Sequence, residues 1–406
     1  MAMSAGNASA GDSVEAEPRP KRPTPKIQTV VNMPYFTPAQ IERLSTRARA
    51  NKMAANKWMQ TKMSACAYIE AVGAKMGFPQ RTIGTAQLLY QRFHLFYPPS
   101  DFVLHEVALA ALFTASKLND TQKRIHDFLM TSYAFRYPEL LHAPPSDTEH
   151  DAENGTYDWI VHAHVAESDV DAEMLAQERG RLLVLERLLL QCICFQFNLR
   201  APQNLRYVVK VARRFQMAKS ATALAWRIAC DSHRTYAPLI YPPQTVALGC
   251  VYTAVSLLHA CGELEACLER FTQVSGWDDA WQAKPEDVED VAHHVLDLYV
   301  AQLPSMTETQ PSGRAVPLHV SYPPPLGLLA WRRMLTDNPA QKLDSKLTQI
   351  KIRLRQDAQQ RNAAMAAPVR TSNREDVRGA DDALPATMYT PEKPGTQTAA
   401  TRYLLY

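Results

Sequence analysis

Two apolar nine-residue segments, 139 positions apart, share five identical residues. The segment VALAALFTA begins at Val107, the segment VALGCVYTA begins at Val246, and each follows a Tyr-Pro-Pro, at Tyr97 and at Tyr241. A helix that is apolar on nearly every side belongs at the centre of a helical bundle. The chain is therefore predicted to contain two related bundles, each built around one central apolar helix.

Helical spacing of apolar residues recurs on both sides of each central segment. In the first block it predicts helices over 54–76, 80–96, 101–117, 121–133 and 172–197. In the second block it predicts helices over 203–215, 218–236, 245–261, 264–274 and 285–301. No alternating apolar pattern of useful length predicts a strand. The predicted fold class is all-α, with two five-helix bundles in tandem.

The remaining segments are assigned by composition. The first block is predicted to cover 36–200 and the second 201–303, with a long acidic insertion over about 138–172 in the first. A Pro-rich linker follows, and then a separate helix-prone segment. Both ends of the chain are polar and rich in small residues and are predicted to be disordered. These other boundaries are 1–35 and 367–406 for the tails, 304–337 for the linker and 338–366 for the basic amphipathic helix.

Two basic segments have open interpretations. The cluster Arg19-Pro20-Lys21-Arg22 is either a nuclear import signal or part of a solvated tail. The helix predicted over 338–366 carries lysines and arginines beside an apolar stripe. It either docks on a partner or touches nucleic acid, or it is an isolated amphipathic helix with a solvated basic face. Its apolar stripe consists of Leu343, Leu347, Ile350 and Leu354.

Composition and motif content argue against several classes of protein. The chain is 46% hydrophobic with a net charge of +3, so bulk charge predicts neither nucleic-acid nor membrane binding. No apolar run approaches the roughly 20 residues of a membrane span. The seven cysteines, none in a C-x-x-C pair, are typical of buried thiols in a reducing compartment. Phosphate-binding loops and hydrolase, metalloprotease and kinase motifs are missing, so we expect no catalytic residue, metal or cofactor.

Glu186 breaks the apolar pattern of the first block. A carboxylate walled in by leucines is costly unless it reaches water or an opposite charge. Either Glu186 lies at the edge of the stripe and pairs with a local cation such as Arg187, or it has a specific function. Its neighbours one turn away are Leu182, Leu183, Leu189 and Leu190.

Lys117 is the second exception to the pattern. A lysine in the last turn of a helix complements the helix dipole and is unremarkable by itself. The matching position of the second block, however, is Ser256. A cation that is present in one repeat and absent from the other indicates a function of the first block alone.

Three motifs, in the expected order, resemble the first cyclin box. LYQRF (89–93) is similar to its second helix, LFTASK (112–117) to the end of its third, and VLERLLL (184–190) to its fifth. The resemblance to the cyclin family covers about residues 54–303. Within the family, the sequence is similar to those of transcriptional cyclins of the K, T and L types. The segments 77–83, 92–97 and 231–235 are most similar to fungal CTD kinase beta subunits.

This resemblance implies a non-catalytic nuclear subunit that binds and activates a cyclin-dependent protein kinase. The implied substrate of the complex is the C-terminal domain of RNA polymerase II during transcription elongation, and a third, gamma subunit is a possible further partner. In such proteins a Lys–Glu pair, here Lys117 and Glu186, grips the kinase beside its C-helix. The leucines around Glu186 would exclude water and strengthen that contact. The implied kinase-binding residues are Lys117, Glu186, Leu182, Leu183 and Leu189.

The chain departs from the family in two places that bear on its contacts. Leu118-Asn119-Asp120 stands where many cyclins have an acidic pair after the lysine. Lys62 stands in the first helix where cell-cycle cyclins have an arginine. These differences argue against a cell-cycle cyclin, and no hydrophobic patch that recruits substrates is carried over.

The alternative is a transcription factor IIB-like protein, which uses two cyclin-type bundles to bind promoter DNA. Such a protein should carry an N-terminal zinc ribbon and a strongly basic second repeat. Residues 1–53 contain no cysteine, and the second block is rich in acids. Salt-dependent DNA affinity would favour this alternative, whereas we expect no direct contact with nucleic acid or membrane.

Overall fold

A computed structural model describes residues 35–49, 52–142, 164–197, 203–261, 281–307, 323–334 and 339–366. Within these residues the chain is helical apart from one two-stranded ladder, which confirms the all-α prediction. None of the described helices is long and apolar enough to cross a lipid bilayer. The predicted helix 264–274, the basic cluster 19–22 and the predicted tails, except Tyr35, lie outside the described residues.

Helix α4 is the centre of the first bundle. It packs against all four other helices of the bundle, and every residue from Val107 to Ser116 is buried. The five predicted helices of the first block are present, and a further helix, α1, precedes them. In chain order these are α1 (Pro38–Arg49), α2 (Ala55–Lys75), α3 (Gln80–Phe96), α4 (Leu104–Leu118), α5 (Ile125–Arg136) and α6 (Ala172–Cys192).

The unpredicted helix α1 packs against α3 but buries its apolar residues in the other bundle. Phe36 and Ile41 belong to the second hydrophobic core, and the Phe36 amide donates to the Leu239 carbonyl oxygen at 2.9 Å. The segment at the start of the predicted first block therefore contributes side chains to the hydrophobic core of the second bundle. No helical apolar pattern predicted this helix, because Ile41 and Leu44 are the only large aliphatic residues in α1.

The ends of the acidic insertion are held together by a short antiparallel ladder. Strands β1 (Leu141–His142) and β2 (His164–Val165) pair Leu141 with Val165 and His142 with His164. The Asp171 carboxylate caps α6 by accepting from the Glu173 amide at 3.0 Å. The insertion thus leaves and rejoins the first bundle at adjacent points.

Helix α10 is the centre of the second bundle and packs against α7, α8 and α11. The helix predicted over 218–236 ends earlier than expected, at Ser232, and a separate four-residue helix begins at Ala237. The Thr235 hydroxyl donates to the Ser232 carbonyl and accepts from the Ala237 amide, which makes a local turn that competes with the helix. The described helices of this bundle are α7 (Asn204–Arg214), α8 (Lys219–Ser232), α9 (Ala237–Ile240), α10 (Pro243–His259) and α11 (Pro285–Thr307).

Two C-terminal helices pack on the second bundle. Helix α12 (Leu326–Met334) lies against α8, inside the segment 304–337 that was predicted as a Pro-rich linker. Helix α13 (Pro339–Ala366) confirms the predicted amphipathic helix and packs on α11 and α10. Its apolar stripe therefore covers part of its own chain and does not leave an isolated helix. The buried residues of that stripe are Leu347, Ile350 and Leu354.

The two bundles match in detail beyond the nine-residue repeat. Both α2 and α7 end in a Schellman turn with a residue of positive φ, Gly77 at 69° and, 139 positions later, Gln216 at 51°. The amide of Phe78 donates to Gly73, and the amide of Met217 donates to Ala212, at 2.9 and 3.0 Å. The same numerical shift therefore relates the α2–α3 corner to the α7–α8 corner.

Candidate functional site

Lys117 and Glu186 form an ion pair between two helices of the first bundle. Lys117 is in the last turn of α4, Glu186 is in the second half of α6, and these helices pack side by side. The Lys117 ammonium donates to both carboxylate oxygens of Glu186, at 2.8 and 3.0 Å. Folding thus brings together two residues that lie 69 positions apart in the chain.

The pair lies at the surface of the bundle. The Lys117 side chain is 41% exposed and the Glu186 side chain is 12% exposed. The Lys117 ammonium also lies 4.1 Å from the centroid of the Phe113 ring, in a cation–π contact. An exposed ion pair contributes only about 0–1 kcal/mol to stability. The pair thus holds both charges in defined positions, with the Lys117 side chain accessible to a partner and the Glu186 side chain mostly covered.

The predicted leucines around Glu186 separate into two groups. Leu183 is 43% exposed, whereas Leu182 and Leu189 are buried in the first core. Seven residues span about two helical turns, so Leu182 and Leu189 point to the same inward side of α6. Neither side chain reaches the surface of this chain, and their part in kinase binding stays a prediction. Among the described residues, Glu186 pairs with Lys117 and not with its neighbour Arg187.

Exposed apolar residues accompany the ion pair on α6 and on the turn that follows it. Leu183 is one turn before Glu186, on the same side of α6, and is 43% exposed, whereas the exposed Val184, two positions before Glu186, points to another side of the helix. Phe195 and Phe197, just beyond α6, are also exposed. Exposed apolar side chains beside a fixed ion pair are suited to a protein–protein contact, in which apolar area and a few charges act together.

A buried ion pair, missed in the sequence, fixes the position of α6. Arg136 of α5 donates to both carboxylate oxygens of Glu178, at 3.0 and 3.1 Å, and Glu178 is buried. Arg181 lies 2.9 Å from Glu106 of α4. These contacts tie α6 to α5 and α4 and so position Glu186. The available signal was the placement of Glu178 four residues before Leu182, on the core face of α6.

The segment 231–235, noted for its resemblance to CTD kinase beta subunits, forms the joint between the two bundles. Arg234 donates to Glu70 of α2, and Gln91 of α3 donates to the carbonyl oxygen of His233. Asp231 accepts from the amides of Leu326 and Gly327, both at 2.7 Å. The segment therefore binds the first bundle on one side and the start of α12 on the other.

Burial perturbs the ionisable groups of this joint. Desolvation raises the pKa of the Asp231 carboxyl to about 6, although Arg234, the Tyr299 hydroxyl and the Gly327 amide oppose the rise. The Arg234 guanidinium has a raised pKa because the Glu70 and Asp231 carboxylates outweigh its desolvation. The groups are fully enclosed, which is typical of a structural joint.

Comparison with known proteins finds cyclins among the relatives of the chain. No family model matches the chain. It is 34% identical over 226 residues to the CTD kinase subunit beta of Schizosaccharomyces pombe, a match covering 55% of this chain and 58% of that protein. The chain is a homologue of transcriptional cyclins. It is also 25% identical over 271 residues to human cyclin-K, covering 65% of this chain and 39% of that protein.

The fold of this cyclin homologue agrees with a solved structure. A chain of the yeast RNA polymerase II CTD kinase CTDK-1 complex matches it with a TM-score of 0.52 at 18% identity. The match covers 75% of the cyclin homologue and 82% of that chain. The two bundles thus have the arrangement of tandem cyclin boxes. The cyclin homologue spans less than two thirds of the length of its sequence relatives, 58% and 39% of the two named above.

Proposed function

We propose that the chain is the regulatory subunit of a cyclin-dependent protein kinase that phosphorylates the RNA polymerase II C-terminal domain during transcription elongation. The observation that carries this proposal is the surface ion pair of Lys117 and Glu186 on the first cyclin box. Its support is the similarity to a CTD kinase subunit beta and to cyclin-K. The chain supplies no catalytic group in this proposal.

Activation in this proposal is a shift between conformations of the kinase. The cyclin surface binds the kinase only when the kinase C-helix is swung in, and binding energy then favours that state. The Glu186 carboxylate accepts hydrogen bonds from the kinase, the Lys117 ammonium donates hydrogen bonds to the kinase, and Leu183 buries apolar area. In the bound state the kinase aligns its own Lys–Glu pair and opens its activation loop.

Three finer assignments belong to the same proposal. The partner is a serine/threonine kinase, a third, gamma subunit completes the complex, and the complex acts in the nucleus. Their support is the similarity of the chain to a CTD kinase subunit beta. Pull-down of the tagged chain from cell extract, followed by identification of all co-purifying proteins, tests the kinase and the third subunit, and fluorescence imaging of the tagged chain tests the nuclear location.

The site is tested by two substitutions in the full chain, Glu186→Ala and Lys117→Ala. Each is expected to weaken kinase binding by about 2–5 kcal/mol, because the kinase excludes water from the pair in the complex and each variant then leaves one buried charge without its partner. Binding is measured by titration with the purified kinase subunit, and activation by phosphorylation of a C-terminal-domain peptide. Glu173→Ala and Lys57→Ala, at exposed positions of α6 and α2, are matched controls.

The outcomes separate the site from the function. If both variants bind and activate the kinase as the wild type does, the site assignment is wrong. If the wild-type chain itself neither binds nor activates a cyclin-dependent kinase, the proposed function fails. Salt-dependent affinity of the wild-type chain for promoter DNA would instead support the transcription factor IIB-like alternative.

A further inference from the structure

An open groove lies between α7 and α8 of the second box. It has a volume of about 620 Å³, within the range of sites that hold a few peptide residues. Its floor is apolar and includes the half-buried ring of Trp226. The other apolar lining residues are Val209, Ala212, Met217 and Ala223.

The corresponding groove of the first box, between α2 and α3, is already occupied by a peptide segment. Glu70 of α2 pairs with Arg234, at 3.3 Å, and the His233 ring lies directly over Gly84 of α3. A Cβ on Gly84 would come within 2.9 Å of that ring. The joint segment 231–235 therefore places His233 and Arg234 in the α2–α3 groove, where the Glu70 carboxylate pairs with the Arg234 guanidinium.

A shift of 139 positions relates the residues of one groove to those of the other, but the charged residues of the two grooves differ in sign. Glu70 and Gly84 correspond to Val209 and Ala223. In the second box, the apolar Val209 thus stands where the first box has the carboxylate of Glu70, and cationic side chains surround the groove. The rim residues Arg213, Lys219 and Arg227 are exposed and form no ion pair within the part of the chain that the structure describes.

The start of α8 adds to the positive character of this rim. Its N-cap residue, Ala218, offers no side-chain cap, and the first turn of the helix contains no acidic residue. The partial positive charge of a helix N-terminus stabilises a nearby carboxylate. The groove therefore combines an apolar floor with several groups that attract negative charge.

We propose that the α7–α8 groove binds a short acidic segment of a partner protein, with an aromatic or aliphatic side chain inserted against Trp226. Charge complementarity specifies the partner, because the rim cations and the start of α8 favour carboxylates. A second copy of this chain would bring an equally basic α7 to the same place, and like charges repel. The groove is on the second box, so this proposal is independent of the Lys117–Glu186 site.

The test uses a fluorescein-labelled peptide, Asp-Glu-Asp-Trp-Leu-Asp-Glu, and the full chain in a fluorescence anisotropy titration. We expect saturable binding that weakens as salt is raised from 50 to 300 mM, because the rim charges are exposed. Replacing the peptide's acids by Asn and Gln, or its Trp and Leu by Ser, should each reduce affinity about tenfold. Both requirements must hold, since attraction of charge alone would not need the aromatic side chain.

Variants of the chain locate the binding. The double variant R213E/R227E, and separately Ala223→Gln, should each weaken binding about tenfold or more. The matched control R206E/R214E reverses two exposed charges on the same helix without touching the groove and should change affinity less than about twofold. Equal melting temperatures of the variants establish that all of them are folded.

Two results would overturn the proposal. The first is failure of the peptide to bind, or equal loss of binding in R213E/R227E and R206E/R214E. The second concerns the chain's own acidic insertion, which contains Trp159 among several acids. If the peptide binds only after residues 146–159 are replaced by a Gly-Ser linker, the groove is filled by the chain itself and not by a partner.

Discussion

The guanidinium of Arg234 lies 3.3 Å from the carboxylate of Glu70, and both side chains are almost completely excluded from solvent. Glu70 also accepts hydrogen bonds from the side-chain amides of Gln80 and Gln87, at 3.0 and 3.2 Å. A buried ion pair offsets its desolvation best when its other hydrogen-bonding groups are satisfied. Arg234 Nη1 donates to the Pro323 carbonyl oxygen, whereas Arg234 Nε has no partner among the described residues. This network joins the two cyclin boxes and sets their relative position.

Arg234→Met is expected to destabilise the chain by about 3–5 kcal/mol, because it leaves the Glu70 carboxylate buried without its counter-charge. Urea unfolding followed by circular dichroism measures the change. In the double variant Glu70→Gln/Arg234→Met, much of the loss should be recovered, since no uncompensated charge remains. Arg214→Met, at an exposed position of α7, is the control. A loss no larger than that of Arg214→Met would contradict the network's role.

Gly84→Ala is expected to destabilise the joint by about 1–3 kcal/mol through overpacking. The new methyl group would meet the His233 ring, which is fixed between the boxes. Gly180→Ala is a matched control, because a Cβ at this helical position meets nothing within 4 Å. That control should stabilise α6 by up to about 1 kcal/mol. The two effects are measured as shifts in thermal unfolding, and equal shifts would refute the close approach.

Lys62 gives the chain a specific pH dependence. Burial lowers the pKa of Lys62 from 10.5 to about 8, and its ammonium lies 3.9 Å from the centroid of the Tyr236 ring. The folded state therefore binds this proton less tightly than the unfolded state. The resulting penalty is complete below pH 8 and disappears as the pH rises towards 10.5, so this group makes the protein more stable at higher pH.

The measurement compares wild type with Lys62→Met. Between pH 7.5 and 10 the wild type should gain about 2 kcal/mol of unfolding free energy relative to the variant. The comparison removes the contribution of cysteines and tyrosines that titrate in both proteins. Lys57→Met, at an exposed position of the same helix, should give no such difference. Parallel pH profiles for wild type and Lys62→Met would show that Lys62 is not desolvated.

Exchanging the charges, Lys117→Glu with Glu186→Lys, separates stability from binding. The exchanged pair remains attractive and lies at the surface of the bundle, with position 117 exposed, so the unfolding free energy should change by less than about 1 kcal/mol. Kinase activation, in contrast, should be lost, because the partner then meets each charge at the wrong position. Thermal unfolding and a kinase assay on the same preparation test this. Retained activation would mean that the pair acts only within its own box.

Sequence periodicity predicted the elements whose apolar residues dominate. The central helices α4 and α10 were found because they are apolar on nearly every side, and their similarity gave the repeat. Helices α1 and α12 were missed because they bury only part of their surface, against cores formed by distant segments. The early end of α8 at Ser232 was missed because it depends on the Thr235 hydroxyl, whose local hydrogen bonds compete with the helix.

The candidate site was only partly predictable. Lys117 and Glu186 each broke a local pattern, so both were visible in the sequence. Their contact depends on how α4 and α6 pack, which no local pattern specifies. The same limit applies to Leu182 and Leu189. Helical spacing placed them beside Glu186, but only the packed bundle distinguishes the inward side of α6 from the exposed side carrying Leu183.

Because the two-residue ladder of β1 and β2 joins the ends of the acidic insertion, the geometry of the first box does not depend on the length of that insertion. Because Leu141 pairs with Val165, the helices on either side are joined whatever the chain does between them. The entropy of closing a loop grows only slowly with its length. Homologues with shorter or longer insertions can therefore keep the same cyclin box. This position would also accept an inserted reporter domain without moving Glu186.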